Sequence, residues 1–505
     1  MKLLLGIDIG TQSIRCGLFD FEGNSVALAA KSQSMSTPKP GWATQSPLTW
    51  WQAVVENIQK VISTAKAKPE DIVAVGCCGL MHSPVPIASN GHILTEEVQL
   101  YCDKRAAELA EEISNQANIS RLFFLAANMP TSNWFGIKIK WIKKHEPAIY
   151  QNTYKFLTAK DFINFMLTGE TCIDHSEASG SFLMDQELET WSNELIEAVG
   201  IDKEKLPEIH KASSIIGHVR KEVADSVGLK AGTPVVCGGG DMLCSLLASG
   251  LTGEGKVVDL TGTGSVISFF GNRPILDKRI MNLRHVMPGW VPFGCIDSAG
   301  GAFRWLRDVL AKKETEIARG LGRDEYDYLC ELAQKTNYGA DGILFFPYLM
   351  GERTLGSPFS RAVFLGMNQG TTMGHLVRAV LEGIAFEHKR TIEIVENSGV
   401  KVEVVYHTGG GAKGDLWSQI KADIYGKPVC TLYNTEGGVL GAALLAGVGI
   451  GIYENESAAG NKVARIKKEF QPDESKAERY NYLYALYKNV HDLLQDSFVR
   501  LAAMP

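Results

Sequence analysis

The first twenty residues hold two short apolar runs parted by a polar turn. Leu3, Leu4, Leu5, Ile7 and Ile9 form a β-prone run, residues 10–13 interrupt it, and residues 14–19 resume it. A second turn, DFEGN, follows at residues 20–24. The pattern predicts strand, tight loop, strand. Asp8 lies inside the first run, where a purely structural core strand disfavours a carboxylate. The same pattern returns in the second half. Residues 256–260 and 266–270 read as strands around the turn Thr261-Gly262-Thr263-Gly264-Ser265, which carries no acidic residue. Two such hairpins, one per half, predict two related domains, 1–250 and 251–505, divided near residues 250–255.

Between the hairpins, Ser46-Pro47 opens a helix whose Trp51, Val54, Val55, Ile58 and Ile62 share one face, the usual sign of a core contact. Residues 71–78 and 98–101 read as strands, and a helix starts near Ala106. Residues 134–144 and 156–168 read as helices joined by a loop at His145-Glu146-Pro147, and residues 174–180 as a polar loop. A strand at 235–237 leads through Gly238-Gly239-Gly240 to Asp241 and a small-residue helix at 242–249. Later come a charged loop, Gly351-Glu352-Arg353-Thr354, and an amphipathic helix carrying Leu376, Val377, Val380, Leu381 and Ile384. A strand at 402–407, the turn Gly409-Gly410-Gly411-Ala412 and a helix at 415–425 follow, then a Gly/Ala-rich helix at 435–447. A helical tail from about Ser475 docks through Leu483, Leu486, Tyr487 and Val490.

Length and composition narrow the class. A chain of 505 residues exceeds one core, which agrees with two domains. A net charge of −6 gives no electrostatic case for nucleic acid or an anionic membrane as partner. No apolar run is long enough to span a bilayer, and Asp8 ends the opening leucine run too early for a signal peptide, so the cytoplasm is expected. The ten cysteines lack metal-ligand spacing and read as reduced, buried residues.

The candidate chemistry gathers at the turns. Gly10 lets backbone N–H groups approach an anion, Thr11, Gln12 and Ser13 add polar side chains, and Arg15 adds a cation. Asp8 suits a hydrated divalent metal. Together these are parts of a site for a metal-bound polyphosphate; an edge hairpin with an acidic tip stays open on this stretch alone. Neither hairpin is a Walker loop, for want of Gly-Lys-Ser/Thr, nor a dinucleotide fingerprint, because a strand follows rather than a helix. Met81-His82 and Asp103/Arg105 stand at strand ends, where open α/β sheets place ligands. Taken singly, a structural histidine and a helix-start ion pair explain them better. The glycine turn before the helix at 415–425 makes a surface for a flat base or a phosphate.

As an ordered set, Gly6-Ile-Asp8-Ile-Gly10-Thr11, Met81-His82, Asp103-Lys-Arg105, Gly239-Gly240-Asp241, Gly262-Thr263-Gly264, the segment 347–354 and Gly409-Gly410-Gly411-Ala412 resemble the FGGY carbohydrate kinases over nearly the whole chain. The nearest flavour is xylulokinase, and residues 411–417 also resemble the autoinducer-2 kinase branch. The resemblance implies an α/β protein of two ribonuclease-H-like (actin/Hsp70/hexokinase-type) domains around a nucleotide cleft. It implies an ATP-dependent kinase acting on a primary hydroxyl of a small sugar, a ketopentose such as xylulose, or alternatively ribulose, gluconate, a polyol or an autoinducer-2-like sugar. By the same resemblance Asp241 is the general base, and Met81, His82, Asp103 and Arg105 hold the sugar. Gly10, Thr11, Gln12, Ser13, Arg15, Gly262, Thr263 and Gly264 steady the ATP phosphates, Gly410, Gly411 and Ala412 pack on adenosine, and Asp8 orders Mg²⁺. A homodimer is also implied. Leu80, Tyr101, Cys102 and Met242 depart from the xylulokinase pattern at positions where the sugar is expected. A nucleotide-driven switch protein on the same fold is the competing class.

Overall fold

Two seven-stranded sheets, one from each half of the chain, frame the protein in a computed structural model that describes residues 1–352, 354–434 and 436–504. The first contains β1 (Leu3–Ile9), β2 (Ser13–Phe19), β3 (Ser25–Ser32), β4 (Ile72–Gly79), β5 (Ile215–His218), β6 (Pro234–Val236) and β7 (Gly239–Gly240). Its order is β5-β6-β4-β1-β2-β3, with β7 also paired to β4. The second contains β8 (Gly255–Thr261), β9 (Ser265–Phe269), β10 (Met281–Arg284), β11 (Trp290–Ile296), β12 (Val402–Thr408), β13 (Val429–Leu432) and β14 (Ile466–Phe470), ordered β10-β11-β9-β8-β12-β13-β14. In each sheet an antiparallel meander opens the unit, β1-β2-β3 and then β8-β9-β11, and a parallel strand, β4 or β12, joins its first member. The duplicated hairpin in the sequence is thus a duplicated ribonuclease-H-like sheet. Strand β1 is buried throughout except at Asp8, as befits a strand covered on both faces.

Helices cover the sheets. Helix α1 (Pro47–Ala65) buries Trp50, Ala53, Val54, Ile58 and Val61. This face is rotated from the expected stripe, and Trp51, Val55 and Ile62 lie at its edge, only partly buried. The other helices used below are α2 (Phe135–His145), α3 (Ala159–Thr168), α4 (His175–Ser179), α5 (Asp241–Ala248), α6 (Met373–Asn397), α7 (Asp415–Tyr425), α8 (Gly437–Gly449) and α9 (Ala477–Ala502). Helix α8 lies in the chain between β13 and β14 of the second sheet yet packs on β1 and β4 of the first. Glycine makes this possible. A Cβ on Gly6 would lie 1.9 Å from the Val439 carbonyl oxygen, and one on Gly76 2.0 Å from that of Ala442. The tail helix α9 buries Tyr480, Leu483, Tyr484 and Tyr487, whereas Leu486, expected to dock, is exposed.

Several local expectations shift. The strand at 98–101 shrinks to Val98–Gln99. The helix expected from 156 begins at Ala159, because Lys155–Leu157 pairs with Val85–Ile87 instead. The loop after His145 contains the helix Pro147–Asn152. The polar loop at 174–180 is helix α4, capped by Asp174, whose carboxylate accepts the Ser176 N–H at 2.8 Å. In the charged loop at 351–354, Glu352 is buried and accepts the N–H groups of Thr354, Leu355 and Ser357. Arg353 and Thr435, the expected first residue of the Gly/Ala helix, lie outside the described residues. Among the described residues no helix is long and apolar enough to cross a membrane, and all ten cysteines are free thiols.

Candidate active site

Cross-strand register builds the first half of the site. Asp8 on β1 stands opposite Cys78 on β4, and Cys78 opposite Gly239 on β7. At ~4.8 Å per strand, Asp8 and Gly239 are about 10 Å apart, and Asp241 opens α5 two residues later. The Asp8 carboxylate accepts a hydrogen bond from the Cys78 thiol at 3.4 Å. Gly438, at the start of α8, leaves it room, since a Cβ there would lie 3.1 Å from Asp8 Oδ2. Burial raises the Asp8 carboxyl, while the Cys78 thiol and the Arg15 guanidinium, its cross-strand neighbour on β2, pull it back. The Asp241 carboxyl is pushed up to about 7, first by burial and then by the charge of Asp8, against a 2.7 Å hydrogen bond from the Met242 N–H. The two carboxylates sense each other's charge, which contributes to the raised Asp241 carboxyl.

The first loop is held by its backbone. The Gly10 N–H donates to the Ser13 carbonyl at 3.1 Å, and Gln45 Nε2 donates to the Thr11 carbonyl at 2.7 Å. Arg15 Nε reaches Ser13 Oγ at 3.3 Å, and the Gln12 and Arg15 side chains face solvent.

Met81 and His82 continue from β4 beside Asp241. A Cβ on Gly240 would lie 2.7 Å from the Met81 sulfur, so the thioether rests on the turn before the candidate base. His82 is buried with a left-handed backbone, φ 66°, and burial drives its imidazole well below the usual range. Asp103 is buried and directed inward: it accepts the Ala43 N–H at 2.7 Å, the Arg105 N–H at 2.9 Å, and Arg105 Nη2 at 2.7 Å. Arg105 is stacked 3.6 Å over the Trp42 ring. The pair at 103/105 is therefore a buried, oriented unit rather than a surface ion pair. A residue absent from the motifs joins these elements. Buried Lys138 on α2 donates to the carbonyls of His82 at 3.0 Å and Leu100 at 2.6 Å, and burial lowers its ammonium to about 7. Its signal in the sequence was its spacing: Trp134, Ile137, Trp141 and Ile142 make it part of an apolar stripe. Of the departing positions, Leu80 points into the first-sheet core, while Tyr101 is 42% exposed.

The second half forms a cavity of about 590 Å³. Gly262, Thr263, Gly410, Gly411 and Trp417 line it, joined by Phe303, Arg304 and Tyr326, which no sequence motif marked. Arg304 Nη2 donates to Thr263 Oγ1 at 2.9 Å. Gly264 and Ala412 are not among its lining residues, nor is any residue of the first loop. Beneath the second loop lies a buried network that single-residue reading did not detect. Lys421 Nζ donates to Asp259 Oδ2 and Thr261 Oγ1, both at 2.7 Å, and Tyr425 OH donates to Asp259 Oδ2 at 3.0 Å. These partners hold the Asp259 carboxyl far below the usual range although burial opposes them. A second buried cluster, Asp161, Cys172 and Cys237, has ligand atoms within 4.8 Å of one another. The Lys160 ammonium already pairs with Asp161 and lies 3.1 Å from Asp174, so a lysine supplies the positive charge there.

A doubled ribonuclease-H-like frame, with the two carboxylates at one sheet and a glycine-walled cavity at the other, is common to two-domain phosphotransferases and nucleotide-driven switch proteins. Comparison narrows the class. Residues 3–248 match the N-terminal domain, and residues 260–450 the C-terminal domain, of the FGGY family of carbohydrate kinases. The chain is 28% identical over 500 residues to a xylulose kinase of Bacillus subtilis, covering 98% of each. It is 31% identical over 489 residues to an autoinducer-2 kinase of Yersinia enterocolitica, covering 93% of this chain and 90% of the relative. The crystal structure of a xylulose kinase from Rhodospirillum rubrum superposes with a TM-score of 0.91 at 28% identity, covering 98% of this chain and all of that one. The chain belongs to the FGGY family of carbohydrate kinases.

Proposed function

We propose that the protein transfers the γ-phosphate of ATP to a primary hydroxyl of a ketopentose, xylulose being the first candidate. The observation that carries the transfer is the placement of Asp241 at the start of α5, behind the turn on which Met81 rests, where burial and Asp8 raise its carboxyl to about 7, and the likeness to xylulose kinases supports the acceptor. A carboxylate poised near neutrality is suited to accept the hydroxyl proton, help commonly worth ~10²- to 10⁴-fold. Met81, His82 and Arg105 would hold the sugar, with Asp103 orienting Arg105. Gly262, Thr263, Gly410 and Gly411 would take the adenosine and its inner phosphates. The loop carrying Gly10, Thr11, Gln12 and Ser13, with Arg15, would meet the outer phosphates, Gly264 and Ala412 shaping the turns behind. The Asp8 carboxylate would hold a hydrated Mg²⁺, which when bound neutralises phosphate charge. In this scheme residues 1–250 supply the sugar site, first loop and base, and residues 251–505 supply the adenosine site. Positioning and charge neutralisation do most of the work in phosphoryl transfer, so these residues act mainly by orientation and water exclusion. A cytoplasmic homodimer belongs to the same proposal, checked by light scattering of the purified chain and by its location in fractionated cells.

The 31% identity to an autoinducer-2 kinase favours a second reading, an autoinducer-2-like sugar as acceptor. ADP release across ketopentoses, aldonates, polyols and that sugar separates the readings. Xylulose-dependent ADP release supports the first; release only with another acceptor replaces it; sugar-independent hydrolysis points to a switch protein.

A further inference from the structure

Glu177 on α4 is fully buried, and the proposed phosphoryl transfer assigns it no task. Its Oε2 accepts the His82 backbone N–H at 3.3 Å and stands 3.9 Å from His82 Nδ1. Glu177 Oε1 and His82 Nδ1 are buried without hydrogen-bond partners. His82 occupies a left-handed backbone conformation that a side chain other than glycine adopts only when its surroundings enforce it. Here they do. Lys138 donates to the His82 carbonyl at 3.0 Å. The imidazole meets the Trp134 ring edge-on, 5.1 Å between centroids. Gly180, just past α4, is so near that a Cβ there would lie 2.1 Å from His82 Cε1. The same short helix also reaches the turn before α5, where Ser176 Oγ accepts the Gly240 N–H at 2.9 Å, one residue before Asp241. Its cap Asp174 is anchored 3.1 Å from the buried Lys160 ammonium.

We propose that Glu177 is a positioning residue, which holds His82 in its left-handed conformation and so sets the affinity for sugar. This rests on His82 being a sugar-binding residue. Burial pushes the Glu177 carboxyl up and the His82 imidazole down, and the hydrogen bond between the two residues runs through the His82 backbone N–H.

Glu177→Ala and Glu177→Gln, each made alone and with His82→Ala, test it by steady-state kinetics. Glu177→Ala should raise the sugar KM roughly ten- to hundred-fold, as when a buried N–H loses its acceptor, and leave the ATP KM unchanged. Glu177→Gln keeps an acceptor oxygen and should stay within about threefold of the parent. With His82 already replaced by alanine, Glu177→Ala should add less than about twofold, the sign of two residues acting as a unit. Full additivity would overturn the proposal. Crystal structures of the two single variants read the same claim without activity: His82 should leave the left-handed region in Glu177→Ala and keep it in Glu177→Gln. If the parent phosphorylates no sugar, the kinase reading fails, and this crystallographic arm still decides. An unmoved His82 in Glu177→Ala overturns the proposal.

Discussion

Asp241→Asn should stabilise the protein while stopping its reaction. The Asp241 carboxyl moves from its ordinary 3.8 to about 7 on folding. A folded state that binds a proton more tightly than the unfolded chain loses stability as pH rises from about 4 to about 7, and the loss is constant above that. The displacement corresponds to about 4 kcal/mol at pH 8, at 1.36 kcal/mol for each pH unit. Because the side chain keeps some solvent contact, about 1–2 kcal/mol of that survives screening. Asparagine is nearly isosteric and removes the charge that burial and Asp8 oppose. For a domain of this size the gain is about 2–8 °C in melting temperature at pH 8. At pH 4.5, where the folded carboxyl is protonated and the unfolded one largely ionised, it should shrink to about a quarter. Thermal melts at the two pH values, with turnover measured alongside, provide the assay. Turnover should fall ~10²- to 10⁴-fold. A lower melting temperature at pH 8, or an equal gain at both pH values, would refute the electrostatic reasoning. Near-normal turnover would remove Asp241 as the base.

The base works deprotonated, so kcat should fall as acidification returns the proton to Asp241, and a kcat that does not fall on acidification contradicts this. Gly410→Leu meets nothing within 4 Å of its new Cβ and lies on the cavity wall. It should leave the melting temperature unchanged and raise the ATP KM roughly tenfold, measured by initial rates at saturating sugar. Gly6→Ala places a methyl 1.9 Å from the Val439 carbonyl. Forcing α8 away from β1 should cost about 1–3 kcal/mol or more, visible as a lower melting temperature.

What could be read from the sequence was what lies close together in it. Asp8 beside Gly10, and Asp241 behind three glycines, declare themselves because strand, turn and carboxylate fall within a few residues. The duplicated sheet followed from the second hairpin for the same reason. The Asp259 network was invisible because its partners Lys421 and Tyr425 come from α7, more than 150 residues along. Helix α4 was missed because five polar and small residues show no apolar period, and only Asp174 as cap marks its start. The stripe on α1 was misplaced because tryptophan occupies both position 50 and position 51, and apolar spacing alone does not say which ring faces the sheet. Leu80 departs from the xylulokinase pattern, yet its side chain packs in the core, so its place beside the sugar motif did not reveal its direction.

The most direct measurement is a crystal structure with a ketopentose and a non-hydrolysable ATP analogue bound together. The primary hydroxyl of the sugar should lie within about 2.6–3.2 Å of an Asp241 carboxylate oxygen and face the terminal phosphate. A sugar bound away from Asp241, or a terminal phosphate outside the cleft between Asp8 and Asp241, would contradict the shared-cleft mechanism.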